Sequence, residues 1–386
     1  MIVIDNKHNC CGCGACVQIC PQSCISMQRD EEGFYYPKTD SLKCSDCGLC
    51  EKVCPMMQHL DKNTPEHTYI TYSSVEETRK TGSSGGMFQT MAEYVINQGG
   101  IVFGARFDKS WNVVHDYTDT LEGLKVFCGS KYVQSHIGES YRQTKTFLEN
   151  GKTVLFSGAP CQIHGLKCYL RKQYTNLLTI DFICHGVPSP KVWQAYVDYT
   201  ARKNCLDITQ IESICFRNKC SGWKNYSVTL RDKKGVTLQK TFKSDTYMQL
   251  FLKDYILRPS CYGCRFKDST NNSDITLGDF WGVSDIHPEW DDDKGLSVLL
   301  VNTSKGAQIV SLLDSVIRHP LSLQECIHKN TSYSVGAQEP AKRPLFWNSF
   351  NSKGYDGAVS FLKSIRPSAF SRMKYRIKTL FKSLLH

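Results

Sequence analysis

Beyond residue 66 the chain alternates short apolar runs with amphipathic stretches, the texture of strands and helices taken in turn. Residues 67–72 read as a strand and 86–98 as a helix, with Met87, Met91, Tyr94 and Val95 near helical spacing. Residues 100–107 and 112–117 read as strands, and 137–150 as a helix ended by Gly151. A buried run at 153–157 leads into a helix at 162–172, and a second at 177–183 leads into a helix at 192–202. A β-rich stretch follows over 208–242, with turns at Ser221-Gly222 and Lys234-Gly235, and helix, strand and helix continue to about Arg318. The pattern predicts an α/β or α+β body. Residues 1–60 do not share this texture: they are cysteine-dense, and the polar stretch 55–66 with Pro65 reads as a linker to the body.

Composition narrows the class. A chain of 386 residues is expected to form two or three domains. No apolar stretch approaches the roughly 18 residues of a membrane span. The start, MIVIDNKHNCC, lacks the apolar run of a signal peptide. Twenty cysteines in a chain without an export signal point to metal or redox chemistry rather than disulfides, and to the cytoplasm.

The cysteines are ordered. Cys10-x-x-Cys13-x-x-Cys16-x-x-x-Cys20-Pro21 returns, with 23 residues between Cys20 and Cys44, as Cys44-x-x-Cys47-x-x-Cys50-x-x-x-Cys54-Pro55. Two-residue gaps let three thiolates of one loop grip three corners of an iron–sulfur cube, and the Cys-Pro of each run supplies the fourth corner of the other cluster. This assigns Cys10, Cys13, Cys16 and Cys54 to one 4Fe-4S cluster and Cys44, Cys47, Cys50 and Cys20 to a second. Zinc would use CxxC pairs and has no need of the third CxxC step or the Cys-Pro; a disulfide scaffold is the other bland alternative. Cys11 and Cys24 fall outside the pattern and read as ordinary thiols. The first 60 or so residues resemble the bacterial two-cluster ferredoxins. An oxidised cube with four thiolates carries about −2, so three of them would bring the formal charge from +10 to about +4, weakening any case for nucleic acid.

Four more cysteines sit where strands end or as a CxxC pair: Cys161 in GAPCQ, Cys184 in CHGVPSP, and Cys261 and Cys264 in CYGC. Strand-end loops of an α/β sheet open at one edge, where such folds place their sites. Spacing leaves two readings open for Cys161 and Cys184, cluster ligands or inert buried thiols. GAPCQ, CHGVPSP, FRNKCSGW, CYGCRF and LGDFWG, in that order, resemble the coenzyme F-420 hydrogenase/dehydrogenase beta subunit family over about Thr68 to Thr303. The resemblance implies a flavin (FAD) beside a cubane cluster, with Cys161, Cys184, Cys261 and Cys264 as its ligands. Cys128, Cys168, Cys205, Cys215, Cys220 and Cys326 read as inert.

Ser83, Ser84, Gly85 and Gly86 precede a predicted helix, where free N–H groups suit a phosphate, although from the residues alone a Ser/Gly helix cap is the commoner explanation. No GxGxxG follows a strand. The family resemblance makes the Ser83–Gly86 segment part of an FAD site. Ser130 and Lys131 form the second candidate, with Lys131 facing the flavin diphosphate or the N1–C2 edge of the ring. His185 and Asp279, beside the cluster loops, read as loop-closing residues. No catalytic acid or base stands out.

The expected architecture is an α/β (α+β) flavoprotein body with a small N-terminal ferredoxin-like lobe: a two-cluster domain over 1–60, the two parts of the body over 67–150 and 151–330, and a tail over 331–386. The tail ends in RMKYRIKTLFKSLLH, a basic amphipathic stretch that reads as a terminal helix packed on the body or as peripheral contact with the inner membrane face. The expected function is an oxidoreductase moving electrons between a small-molecule substrate at FAD and ferredoxin or another redox protein. The alternatives are a ferredoxin-dependent reductase of an unknown metabolite, linked to polysaccharide synthesis, and a non-catalytic electron-transfer subunit of a larger complex.

Overall fold

The two cysteine runs fold as near-repeats. In a computed structural model, which describes residues 1–270 and 273–366, Gly14 and Gly48 open the short helices Ala15–Ile19 and Leu49–Lys52. Each helix carries the third cysteine of its run, Cys16 or Cys50, and the Cys-Pro pair follows it. Between the runs lies a hairpin of β1 (Ile25–Arg29) and β2 (Tyr35–Thr39). Ile2, Ile25, Cys16, Cys24, Cys50 and Cys54 make up the buried core of this lobe. A core in which thiols outnumber hydrocarbon side chains is too small to hold a fold without what the thiols bind.

The body is built on an eight-stranded sheet in the order β13-β3-β12-β11-β7-β6-β4-β5. Its strands are β3 (His67–Ser73), β4 (Ile101–Phe107), β5 (Val113–Thr118), β6 (Val154–Ser157), β7 (Leu177–Phe182), β11 (Ile275–Asp279), β12 (Ser297–Val301) and β13 (Val316–Pro320). Four neighbouring strands, β11, β7, β6 and β4, are parallel, and antiparallel strands flank them. The continuous apolar runs of β6 and β12 fit this position, since a strand covered on both faces has no polar side. The predicted β-rich stretch is a separate antiparallel sheet of β8 (Ile211–Asn218), β9 (Ser227–Asp232) and β10 (Gly235–Thr241). Trp193, Phe216 and Tyr247 pack between that sheet and helix Pro190–Lys203.

Several boundaries differ from the sequence expectation. The helix predicted from 162 begins at Pro160 and runs to Leu170, because proline is suited to a first helical position; Cys161 therefore lies in the first turn, not in a loop. The helix predicted over 137–150 is Ser140–Glu149. A short helix, Glu76–Thr81, was not anticipated. The stretch read as a linker is tied down: Asn63 N–H donates to the Ser269 carbonyl at 2.8 Å and Glu66 N–H to that of Val301 at 2.7 Å.

The lobe is embedded in the body. Cys11, Cys13, Ala15 and Val53 belong to the same buried cluster as Phe103, Phe156 and Leu166. Gly165, on helix Pro160–Leu170, faces Cys13 so closely that an added Cβ would lie 3.0 Å from its Sγ. The final described helix, Arg343–Ser364, breaks at Gly354. The basic stretch RMKYRIKTLFKSLLH lies outside the described residues. Among the described residues no helix is long and apolar enough to cross a membrane.

Candidate redox site

The parallel strands β4, β6, β7 and β11 end at one edge of the sheet, and β3 points the same way. Cys161, Cys184 and Asp279 follow or end strands at this edge. Ser157 leads from β6 to Cys161, Phe182 from β7 to Cys184, and Asp279 ends β11. This is the carboxyl edge at which open α/β sheets place ligands.

The thiols line separate cavities. Cys10, Cys13, Cys16 and Cys54 share one with Cys11. Cys20, Cys44, Cys47 and Cys50 share a second with Cys24, whose Sγ lies 3.4 Å from that of Cys20. Cys161, Cys184, Cys261 and Cys264 share a third, again with Cys11. Among the described residues no three His, Cys, Asp or Glu side chains converge on a single-ion site; the thiols are arranged around cavities instead. Burial pushes the Cys184 thiol up to about 11 and the Cys261 thiol up to about 12. Iron would draw off these protons, as metal ligation does for buried thiols generally. A donor set of four sulfurs around each cavity fits a 4Fe-4S cube.

Cys11 was read from sequence as an ordinary thiol. Its position is more particular: it is buried between the lobe and the body and lines both the Cys10 cavity and the Cys161 cavity. Contact with Cys13 and Cys161 holds its thiol well below the usual range and pushes theirs up. Only the cross-lobe packing reveals this; sequence offers no more than its adjacency to Cys10.

Beyond the third cavity lies a cleft in two parts. One part, of ≈ 380 Å³, shares Cys184, His185, Gly186 and Val187 with the wall of the third thiol cavity. The other, of ≈ 310 Å³, is lined by Gly82, Ser83, Ser84, Gly86, Gly129, Ser130 and Lys131. Lys131, Tyr132, Ser157 and Asp279 line both. The structure thus brings the two sequence-predicted segments together: the Ser130 N–H and hydroxyl meet the Ser83 hydroxyl at 2.7 and 2.8 Å. The Ser84 hydroxyl donates to the Leu296 carbonyl at 2.6 Å and the Gly85 N–H to Ser297 Oγ at 2.9 Å, so these two groups fasten the loop to β12. Lys131 is half-buried, donates to the Cys128 carbonyl at 2.9 Å, and is pushed down to about 8 by desolvation.

His185 and Asp279, expected as loop-closing residues, line the cleft; His115 and Arg217 line it too, and with Lys219 and Trp223 nearby are not expected from the sequence. Arg217 donates to both oxygens of Asp279 at 2.8 and 3.0 Å, and Trp223 Nε1 donates to the same carboxylate at 3.1 Å. Lys219 donates to the carbonyls of Arg79, Ser84 and Lys294 at 2.6–2.9 Å, pinning the serine–glycine loop from behind. His115 is buried, bonds the Ser157 carbonyl through Nε2 at 2.9 Å, and is pushed down to about 4 by burial. His185 Nε2 lies 2.6 Å from Asp254. The sequence signal for Arg217, Lys219 and Trp223 is their place in FRNKCSGW, a segment whose cysteine alone carries ligand chemistry.

A family model for the C terminus of the coenzyme F420 hydrogenase/dehydrogenase beta subunit matches residues 151–318, and a "4Fe-4S dicluster domain" model matches residues 9–57. Residues 151–318 are thus similar to the C-terminal part of that beta subunit, and residues 9–57 to a 4Fe-4S dicluster domain. The chain is an iron–sulfur, electron-transfer protein of oxidoreductase type. The family match covers Cys161, Cys184, Cys261 and Cys264, whereas Ser83–Gly86 and Ser130–Lys131 lie before it begins. Among solved structures, a chain in the F420-reducing NiFe hydrogenase complex from Methanosarcina barkeri is similar at 17% identity, over 80% of this chain and 95% of that one, with a TM-score of 0.46. No curated protein matches.

Proposed function

We propose that this protein exchanges two electrons with a small organic molecule at FAD and one electron at a time with ferredoxin or another redox protein, through three 4Fe-4S clusters. The observation that carries the reading is continuity. Cys11 lines both the first and third thiol cavities, His185 and its neighbours line the third cavity and the cleft, and Lys131 spans both parts of the cleft.

In this reading Cys10, Cys13, Cys16 and Cys54 hold the inner lobe cluster, Cys44, Cys47, Cys50 and Cys20 the outer one, and Cys161, Cys184, Cys261 and Cys264 the body cluster. Ser83 and Ser130 shape the wall against which the cofactor lies, and Lys131 sets its cation against the diphosphate or the N1–C2 edge. FAD supplies the change from paired to single electrons, which clusters alone do not provide. Met56, Pro160, Val187 and Phe266 supply the apolar part of the third cavity's wall, and Arg258, Arg265 and Lys267 set positive charge around the ligand sulfurs.

The test is anaerobic reconstitution with iron, sulfide and FAD. The reading expects about twelve irons per chain, four for each of three cubes, and one retained flavin. Iron saturating near eight, or no retained flavin, would overturn it. A second reading, a relay subunit with clusters and no flavin of its own, is favoured by the FAD segments lying outside the matched family residues. Full iron with no flavin would select it.

A further inference from the structure

Arg258 is a buried cation without a carboxylate. It is 0% exposed. Its Nε donates to the Cys10 carbonyl at 2.7 Å, Nη1 to Gln134 Oε1 at 3.0 Å, and Nη2 to the Tyr35 carbonyl at 3.0 Å and to Cys10 Sγ at 3.5 Å. Tyr36 and Phe34 lie beneath the guanidinium, with ring centroids 4.2 and 5.5 Å away. All its polar partners are neutral carbonyls or a thiol, and among the described residues it forms no ion pair. The approach is tight enough that an added Cβ on Gly12, at φ +71°, would lie 2.8 Å from Nη1.

The cost of enclosing an unpaired charge is among the largest in a protein, and neutral dipoles offset only part of it. The nearby groups that become anionic are the sulfurs. Arg258 is the residue before helix Pro259–Tyr262, which carries Cys261 of the body set, while its guanidinium touches Cys10 of the lobe set. It therefore stands between two sites that each carry net negative charge once filled. Cluster potentials rise with hydrogen bonds to the sulfurs and with nearby positive charge. None of the contacts to Arg258 comes from Cys44, Cys47, Cys50 or Cys20.

We propose that Arg258 is the internal counter-cation of the relay: it raises the reduction potential of the cluster held by Cys10, Cys13, Cys16 and Cys54 above that of the outer lobe cluster, and so makes the inner one the lobe's port to the body. The proposal rests on the cluster assignment of the two cysteine runs. It does not require FAD.

The experiment uses the full chain reconstituted anaerobically with iron and sulfide, followed by redox titration with electron paramagnetic resonance. A Cys44→Ser variant identifies which signal belongs to the inner cluster. In Arg258→Met the inner midpoint moves to more negative values while the outer one stays; in Arg258→Lys, which keeps the charge and loses the fork, the shift is smaller. Arg258→Gln is titrated alongside, and its inner midpoint falls further than that of Arg258→Lys. If Arg258→Met does not take up iron, the comparison of Gln with Lys decides alone. Unchanged midpoints at full iron, a Lys shift as large as the Met or Gln shift, or failure of all three variants to take up iron, which would make Arg258 a folding residue only, would each overturn the proposal. Wild-type iron near eight would instead remove the body cluster and leave the inner midpoint readable.

Discussion

Arg343, the first residue of the last described helix, grips the carboxylate of Glu32 in the lobe with both guanidinium nitrogens, Nη1 to Oε1 at 2.7 Å. The same side chain donates to the Leu257 carbonyl at 3.0 Å and to the Tyr262 hydroxyl at 2.9 Å, so one arginine joins the C-terminal helix, the lobe and the CYGC segment. Both partners are more than nine-tenths buried.

Breaking this pair leaves a buried charge alone. Arg343→Met is expected to lower stability by about 3–5 kcal/mol, and Glu32→Leu with Arg343→Met by less, because removing both charges leaves none unpaired. Chemical denaturation of the iron-loaded protein measures this. A double variant no more stable than Arg343→Met would contradict the account.

The thiol cavities give a prediction in iron. Cys161→Ser and Cys264→Ser should each lose about four irons per chain and keep the lobe's share. Cys11→Ala should keep all of it, at a stability cost of about 1–2 kcal/mol for the buried sulfur, and slow electron exchange between lobe and body because its thiol stands between Cys13 and Cys161. Iron analysis and stopped-flow absorbance check these; iron loss in Cys11→Ala would make Cys11 a ligand.

Lys131 separates the flavin reading from the relay reading. Its cation faces both parts of the cleft, so Lys131→Met should weaken FAD retention by about ten- to a hundredfold, the worth of a charge-assisted contact. Burial pushes its pKa down to about 8, so retention should weaken as pH rises through that value and the charge is lost. Equilibrium dialysis of FAD at pH 7 and pH 9 measures both effects.

His115 gives a pH dependence of stability. Burial holds its pKa at about 4, below the 6.5 of an unfolded chain. Between these values the unfolded chain binds the extra proton, so the contribution is complete above pH 6.5 and is lost as pH falls toward 4, at up to about 1.4 kcal/mol per pH unit. His115→Phe should flatten the difference between denaturation midpoints at pH 7.0 and 5.5. An unchanged slope would mean that another group carries it.

Much of the body was legible as alternation. β3, β4, β5, β6 and β7 fall within a residue or two of the predicted runs, since period-two and continuous apolar patterns are local properties of a strand. The hairpin β1–β2 and helix Glu76–Thr81 were not read, being short and largely polar. Pro160 misplaced a helix start because a proline at the first helical position looks, in sequence, like a loop residue.

The cysteine runs were the most legible part, because three corners of a cube are reached by one tight loop and its spacing is written in consecutive residues. The sequence by itself therefore determined the spacing of the lobe cysteines, the alternation of strands and helices in the body, and the places of Cys161 and Cys184 just beyond two strands. Tertiary structure alone decided that Cys11 lies between two sites, that Ser83 meets Ser130, that Arg217 holds Asp279, and that Arg258 reaches Cys10 from 248 residues away. Such pairings carry no periodicity. They are fixed only when the lobe is packed into the body and each buried polar group must find a partner among whatever surrounds it.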